Sequence, residues 1–192
     1  MKVPNDVMTF TAMTAEEFEL AVKGILEKSA HGLSAFHAEH REKLKGLDGS
    51  YEIDITARFE ALGANFLVLV ECKHHKNPIK RELVQVLHDR MRSTGAQKGM
   101  LFSTSGFQEG ALEYAKLHGI ALVRMVEGKT IFETKSFGPP VEPPPWVPLP
   151  PFVGWWITMD KPGVTRQRLW SNDCSEYLDL FLHDNSEEAN NA

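Results

Sequence analysis

The segment FLVLVECKHH, residues 66–75, carries the strongest fold signal in the chain, because five consecutive apolar residues are followed at once by charged and imidazole side chains. A continuous apolar run of this length predicts a central strand that is covered on both faces. Before it, the segment YEIDI, residues 51–55, alternates apolar and polar side chains and predicts a strand with one buried face. The turn Gly63-Ala64-Asn65 between them favours a hairpin.

Helical and strand patterns alternate on both sides of this hairpin. Thr14 and the acidic residues after it predict a helix over 14–29, and Pro78 precedes a helical pattern that ends at Gly95. The remaining pattern predicts a strand over 99–104, a helix over 108–118 and a strand over 120–126, whereas residues 33–47 are polar and show no clear period. This order predicts an α/β fold in which helices flank a mixed β-sheet.

The composition of the chain changes near residue 138. Residues 139–151 contain eight of the eleven prolines and predict an extended linker. We therefore expect a domain over 1–138, a proline-rich linker over 139–151 and a C-terminal extension over 152–192. The extension is acidic and rich in aromatic residues, which indicates packing against another surface, and its end is expected to be disordered.

The charge is unevenly distributed along the chain. The net charge is −5, but residues 1–138 contain 18 basic and 18 acidic residues, so the whole excess lies in the rest of the chain. Seven lysines and arginines between positions 73 and 98 form a local basic run. Such a run is compatible with phosphate contacts, although a solvated helix face is the commoner explanation.

The location of the protein follows from what the sequence lacks. No apolar run is long enough to span a membrane, and the N-terminus does not have the pattern of a signal peptide. The two cysteines, Cys72 and Cys174, form neither a disulfide framework nor a zinc-ligand spacing. We therefore expect a cytoplasmic protein without a membrane partner.

Three charged residues stand out on the two hairpin strands. Asp54 occupies a polar position of the first strand, and Glu71 follows the apolar run of the second, with Lys73 two residues later on the same face. Taken alone, a charged residue at the end of a strand is more often solvated than catalytic. Together they form a set that suits metal-assisted phosphodiester hydrolysis, with two carboxylates to hold Mg²⁺ or Mn²⁺ and a lysine to orient the attacking water.

The chain resembles the Mrr-type restriction endonucleases, a branch of the PD-(D/E)XK nuclease superfamily, in four segments: YEIDI at 51–55, VECKHH at 70–75, STSGF at 103–107 and GIALV at 119–123. The resemblance covers residues 14–127 and implies a restriction-endonuclease-like sheet with Asp54, Glu71 and Lys73 as catalytic residues. Ile53 stands where the superfamily name has proline, at a position where this branch tolerates apolar residues.

The same resemblance implies supporting residues. A glutamate after a phenylalanine on the first helix corresponds to Glu19, although Glu16 and Glu17 are also candidates. Gln85 lies where such nucleases often carry a polar residue, and a solvated helix position explains it equally well. We also expect DNA-phosphate contacts from the loop residues and helix start after Lys73 and from the next turn: Lys76, Lys80, Arg81 and Ser105, although serine at such a turn is more often a simple helix cap.

Several functions fit these residues. The leading hypothesis is a magnesium-dependent DNA endonuclease of restriction or DNA-defence type. The first alternative is a structure-specific nuclease of repair or recombination, because the same fold and triad serve both activities. The second is a catalytically inactive DNA-binding module, against which the intact triad argues. If both strands of duplex DNA are cut, a homodimer is expected, because two active sites are needed.

Overall fold

A seven-stranded sheet lies at the centre of the protein, and its strands follow one another in the order of the chain. The computed structural model describes residues 13–30, 32–127, 152–161 and 163–170. The strands are β1 (Ser34–Lys45), β2 (Ser50–Ala61), β3 (Ala64–Lys73), β4 (Lys98–Ser103), β5 (Ala121–Glu127), β6 (Phe152–Lys161) and β7 (Val164–Trp170). The helices are α1 (Ala15–Ser29), α2 (Arg81–Thr94) and α3 (Glu109–Leu117).

The connections explain the direction of each strand pair. The β1–β2 and β2–β3 pairs are antiparallel, and each is joined by a short turn. The β3–β4 and β4–β5 pairs are parallel, and their connections contain α2 and α3, as parallel neighbours require a crossover. The β5–β6 and β6–β7 pairs are again antiparallel. The sheet is therefore mixed and flanked by helices, as the sequence predicts.

The helices cover opposite faces of the sheet. The helix α1 contributes Phe18 to a core cluster that contains Val70 of β3. The helices α2 and α3 contribute Leu87 and Leu112 to a second cluster that contains the adjacent strand residue Leu69. Successive residues of a strand point to opposite faces, so the apolar run of β3 is buried on both sides. This confirms the central strand predicted from the run.

The first helix begins where the sequence predicts. The Thr14 hydroxyl accepts the N–H of Glu17 at 3.2 Å, and the Glu17 carboxylate accepts the N–H of Thr14 at 2.7 Å. This reciprocal capping box satisfies two amide groups that the first helical turn leaves without partners. The helix predicted over 14–29 is confirmed as Ala15–Ser29.

The prediction for residues 33–47 missed a strand, because β1 occupies Ser34–Lys45. Only Ala38 of this strand is buried, and most of its other side chains are exposed or half-buried. An edge strand of this kind lacks the apolar alternation by which strands are recognised in a sequence. The strand is also irregular, because its register with β2 shifts between Ser34 and His37. This shift makes the strand still harder to recognise in the sequence.

The start of the C-terminal extension belongs to the sheet. The strand β6 pairs with β5, and its residues Val153, Ile157 and Met159 are buried. The aromatic residues of this region predict packing against another surface, but no strand was predicted here. Residues 139–151 and 171–192 lie outside the described residues, so the division into a domain over 1–138, a linker and an extension stays a prediction. No helix within the described residues is long and apolar enough to cross a membrane.

Candidate active site

The candidate site lies where β2 and β3 separate. The Cα partners of the two strands run as far as Ile55 and Val70, which form the last pair on this side. One residue further along β2, the Oδ2 atom of Asp54 accepts the backbone N–H of Cys72 at 2.7 Å. A side chain thus takes the place of a backbone carbonyl in this hydrogen bond, and it ties Asp54 to the segment Glu71–Lys73.

The apolar side chains of β2 lie on different faces of the sheet before and after Asp54. Ile53 packs in the cluster beneath α2 and α3, whereas Ile55 packs in the cluster beneath α1. Two residues apart on a regular strand would share one face. On the neighbouring strand, Arg41 lies between the partners of these two isoleucines and has a φ of 52°, a left-handed conformation that is uncommon for a residue other than glycine. Asp54 therefore lies at an irregularity of both strands.

Glu71 and Lys73 lie on the same side of β3, two residues apart. Glu71 is 7% exposed, and its Oε1 atom accepts a hydrogen bond from the Lys73 ammonium group. Its Oε2 atom accepts a hydrogen bond from Nη1 of Arg90 on α2 at 2.7 Å. Both oxygens of this carboxylate are therefore bonded to a cation.

Arg90 is a site residue that sequence reasoning did not find. It lies on α2 beside the buried stripe formed by Val84, Leu87 and Met91, three residues after Leu87. In the sequence it is one of several basic residues of a helix, and such a residue is usually expected to be exposed to solvent. Its position next to the buried stripe is the signal that could have placed it near the sheet.

The electrostatics of Asp54 reflect burial and like charge. Burial raises the pKa of the Asp54 carboxyl group, and the negative charges of Glu71 and Glu19 raise it further. The N–H of Cys72 and the ammonium group of Lys73 act in the opposite direction. The net rise in the pKa means that negative charge at Asp54 is not fully compensated by its protein neighbours. A bound cation would compensate it.

Glu19 is the glutamate of α1 that faces the site. It is 8% exposed, and its Oε2 atom lies 2.7 Å from Nε2 of His40 and accepts a hydrogen bond from Nε of Arg41 at 2.9 Å. The two other candidates lie elsewhere: Glu17 forms the capping box, and the more exposed Glu16 lies 3.4 Å from Arg41. The structure therefore distinguishes Glu19, the glutamate to which the resemblance points, from the two other candidates on α1.

The remaining candidates differ in exposure. Gln85 is exposed on α2. The three basic candidates are also exposed, in the loop after β3 and at the start of α2: Lys76, Lys80 and Arg81. The Arg81 guanidinium lies 5.2 Å from the centre of the Tyr114 ring. Ser105 is 7% exposed and its hydroxyl donates to the carbonyl of Asn77 at 2.7 Å, so the structure shows it in a contact that joins two loops.

The side chain of Cys72, the residue between Glu71 and Lys73, is chemically unreactive. Cys72 is buried, and burial raises the pKa of its thiol well above the usual range. A thiol in this state stays protonated and behaves as a small apolar side chain. Cys72 contributes its backbone N–H to the site through Asp54, and its side chain packs in the core beneath α1.

The donor set fits a hard divalent cation. Within the described residues, no group of three or more His, Cys, Asp and Glu side chains is arranged to hold a metal ion. Asp54 and Glu71 nevertheless offer carboxylate oxygens from the adjoining strands β2 and β3, and burial first and the charge of Glu71 second raise the pKa of Asp54. Magnesium is often held by one or two carboxylates while it keeps several water molecules. The residues present therefore suit such an ion.

Known proteins are similar to this chain at two levels. The chain matches the family described as restriction endonuclease, in its Mrr-type catalytic domain, over residues 10–134. No curated protein matches the chain. Among solved structures it is similar to a crystal structure of protein of unknown function AF1548, with 24% sequence identity and a TM-score of 0.47, and the alignment covers 57% of this chain and 57% of that chain.

Proposed function

This chain belongs to the Mrr-type restriction endonuclease family, and we propose that it is a DNA endonuclease that uses a divalent cation, Mg²⁺ or Mn²⁺, to hydrolyse phosphodiester bonds. One observation carries the proposal: Asp54 accepts the backbone N–H of Cys72, the residue after Glu71, where β2 and β3 separate, and burial and then the charge of Glu71 raise the pKa of Asp54. A half-buried carboxylate that lies close to a second, buried one is unfavourable as an anion unless a cation compensates its charge.

The proposed roles follow from the positions of the side chains. Asp54 and Glu71 would hold the cation, which when bound stabilises charge on the phosphate and lowers the pKa of water. Lys73 would orient the attacking water and donate to the developing negative charge. Its ammonium group lies at the Glu71 carboxylate, the proposed metal ligand, which supports this role. Glu19 would act as a supporting carboxylate, held by His40 and Arg41.

The cleavage test compares site variants with matched exposed residues. Supercoiled plasmid is incubated with the wild-type protein in Mg²⁺, in Mn²⁺ and in EDTA. We expect nicking or linearisation that stops in EDTA and in the variants Asp54→Asn and Lys73→Met. The controls Asp89→Asn and Lys43→Met change exposed residues outside the site and should cleave like the wild type. Equal activity in Asp54→Asn and the wild type would falsify the assignment.

The same assay separates the alternatives. Cleavage of a branched junction in preference to plasmid or linear duplex would favour a repair or recombination nuclease. DNA binding without cleavage of any plasmid, methylated or branched substrate, in either metal, would favour an inactive binding module. Simultaneous cleavage of both strands would favour a homodimer on duplex DNA, because one site cuts one strand.

The DNA-contact residues lead to a separate prediction about salt. Lys80 is exposed at the start of α2 and is proposed to contact a phosphate. The change Lys80→Ala should weaken binding of any duplex sequence and lower the slope of log affinity against log salt by about 1. Fluorescence anisotropy with a labelled duplex at several salt concentrations measures both values. Lys116→Ala, on the exposed side of α3, is the matched control, and an equal effect there would remove Lys80 from the interface.

A further inference from the structure

The carboxylate of Glu71 is fully engaged by the protein itself. Lys73 donates to Oε1, and Arg90 donates to Oε2 at 2.7 Å. The Glu71 side chain is 10% exposed, so water contributes little to its surroundings. A divalent cation that uses Glu71 must therefore compete with two cations that already occupy its oxygens.

The two cations differ in their freedom to move. Lys73 lies two residues from Glu71 on the same strand, so its side chain stays next to the carboxylate. Arg90 reaches the carboxylate from α2, and its side chain is 27% exposed. A long side chain with an exposed part can turn toward solvent without a change in the backbone. Arg90 is therefore the cation that can leave Glu71.

In a nuclease, an arginine can also bind a phosphate group of the DNA. The guanidinium group donates two parallel hydrogen bonds to a phosphate as well as to a carboxylate. We propose that Arg90 is a further functional residue of the active site, which occupies Glu71 in the metal-free protein and binds a DNA phosphate when a divalent cation takes Glu71. This inference rests on the proposed function, because it requires the same metal site.

The proposed exchange links metal binding to DNA binding. Without DNA, the guanidinium group repels a divalent cation at Glu71 and keeps its affinity low. With DNA, a phosphate stabilises Arg90 away from Glu71 and removes this repulsion. The two ligands then strengthen the binding of each other by the same factor. The free protein would hold its metal weakly and load it together with the substrate.

A purely structural role for Arg90 makes a different prediction. The helix α2 is anchored by buried Val84, Leu87 and Met91, none of which depends on the guanidinium group. The variant Arg90→Met keeps much of the length and apolar character of the side chain, so we expect it to fold. If Arg90 only fixed the helix, its removal would lower thermal stability and would not increase metal affinity.

The experiment measures Mn²⁺ binding without DNA by electron paramagnetic resonance, in the wild type, Arg90→Met and the control Arg92→Met, which changes an exposed residue of the same helix. We expect Arg90→Met to bind Mn²⁺ roughly tenfold more tightly, because a positive charge next to the ion is removed. Arg92→Met should match the wild type. The double variant Arg90→Met with Asp54→Asn should lose the gain, which locates the ion.

A second measurement follows the binding of DNA. The affinity for a fluorescent duplex oligonucleotide is compared in Ca²⁺ and in EDTA. In the wild type, Ca²⁺ should increase the affinity, and in Arg90→Met this increase should be several-fold smaller. Arg90→Lys keeps the charge but not the paired donors, so it should retain weak Mn²⁺ binding and lose part of the increase.

The outcomes distinguish the two proposals. If Mn²⁺ binding depends on Asp54 but is unchanged or weaker in Arg90→Met, the role of Arg90 is wrong and the metal site stands. If Asp54→Asn changes Mn²⁺ binding neither alone nor together with Arg90→Met, both the metal site and the role of Arg90 are wrong. Tighter, Asp54-dependent binding in Arg90→Met with a reduced effect of Ca²⁺ on DNA affinity supports both.

Discussion

Two carboxylate clusters on the β1–β3 part of the sheet differ in how their charge is balanced. In the first, Glu42 of β1 accepts two hydrogen bonds from the Arg58 guanidinium at 2.8 and 2.9 Å, and a third from Thr56. In the second, Asp54 lies next to Glu71 and accepts the N–H of Cys72. The first cluster joins one acid to one base. In the second, the oxygens of Glu71 are held by Lys73 and Arg90, and Asp54 has no bond to a cationic side chain among the contacts described.

The pKa shifts of the two clusters run in opposite directions. Hydrogen bonds from Arg58 lower the pKa of Glu42, so its anion is favoured in the folded protein. Burial and the charge of Glu71 raise the pKa of Asp54, so its anion is disfavoured. An ion pair that stabilises a fold satisfies its charges internally. A site that accepts a cation leaves negative charge uncompensated, and this difference separates the two clusters more clearly than their residue types do.

The largest expected effect of this difference is on cleavage. The change Glu71→Gln removes a proposed metal ligand, and we expect the rate of plasmid cleavage to fall by at least about 10²-fold. The matched change Glu42→Gln should leave the rate close to that of the wild type. Initial rates of plasmid nicking in Mg²⁺ measure both. Similar losses in the two variants would show that Glu71 matters no more for cleavage than the carboxylate of the Glu42–Arg58 pair, and would contradict its role as a metal ligand.

The sequence predicts the second cluster better than it predicts its surroundings. The apolar run of β3 ends at Glu71 and Lys73, and the alternation in β2 contains Asp54, so strand geometry alone brings these residues to neighbouring positions. Arg90 was not predicted, because its contact depends on how α2 packs on the sheet. This packing is fixed by residues distant in sequence, such as Leu69 and Leu101.

The edge strands were missed for a related reason. The strands β1 and β7 lie at the two edges of the sheet, where only Ala38 of β1 is buried and residues 164–167 of β7 are exposed. Their assignment depends on hydrogen bonds to β2 and β6, which no local pattern shows. The resemblance points to Glu19 because it follows a phenylalanine, but its contacts with His40 and Arg41 depend on β1 and could not be predicted.

A smaller effect is expected on stability at the first cluster. The change Glu42→Gln weakens the pair with Arg58, whose side chains are 22% and 37% exposed. We expect a loss of about 1 kcal/mol, or roughly 2–4 °C in melting temperature. The pKa of Glu42 is lower in the folded protein, so this stabilisation is present above the unfolded pKa and is lost as the pH falls through the folded pKa. Melting curves at pH 7 and in acid test it, and a difference that persists in acid would contradict the role of the charge.

The smallest expected effect is an increase in stability at the second cluster. The folded pKa of Asp54 is raised, so the contribution of this group to stability is complete below its unfolded pKa and is lost as the pH rises through the folded pKa. Above the folded pKa the wild type has lost this contribution. Asp54→Asn keeps an oxygen for the N–H of Cys72 and has no charge to lose.

We therefore expect Asp54→Asn to melt slightly above the wild type at pH 8 in EDTA, by less than the change expected for Glu42→Gln, and the difference to disappear in acid. Addition of Mg²⁺ should raise the melting temperature of the wild type, because a ligand that binds only the folded state stabilises it. The variant should not respond, so the order of the two melting temperatures could reverse. A variant that melts below the wild type in EDTA at pH 8 would mean that the Asp54 anion is already satisfied by the protein, like that of Glu42, and that the second cluster has no uncompensated charge for a cation to bind.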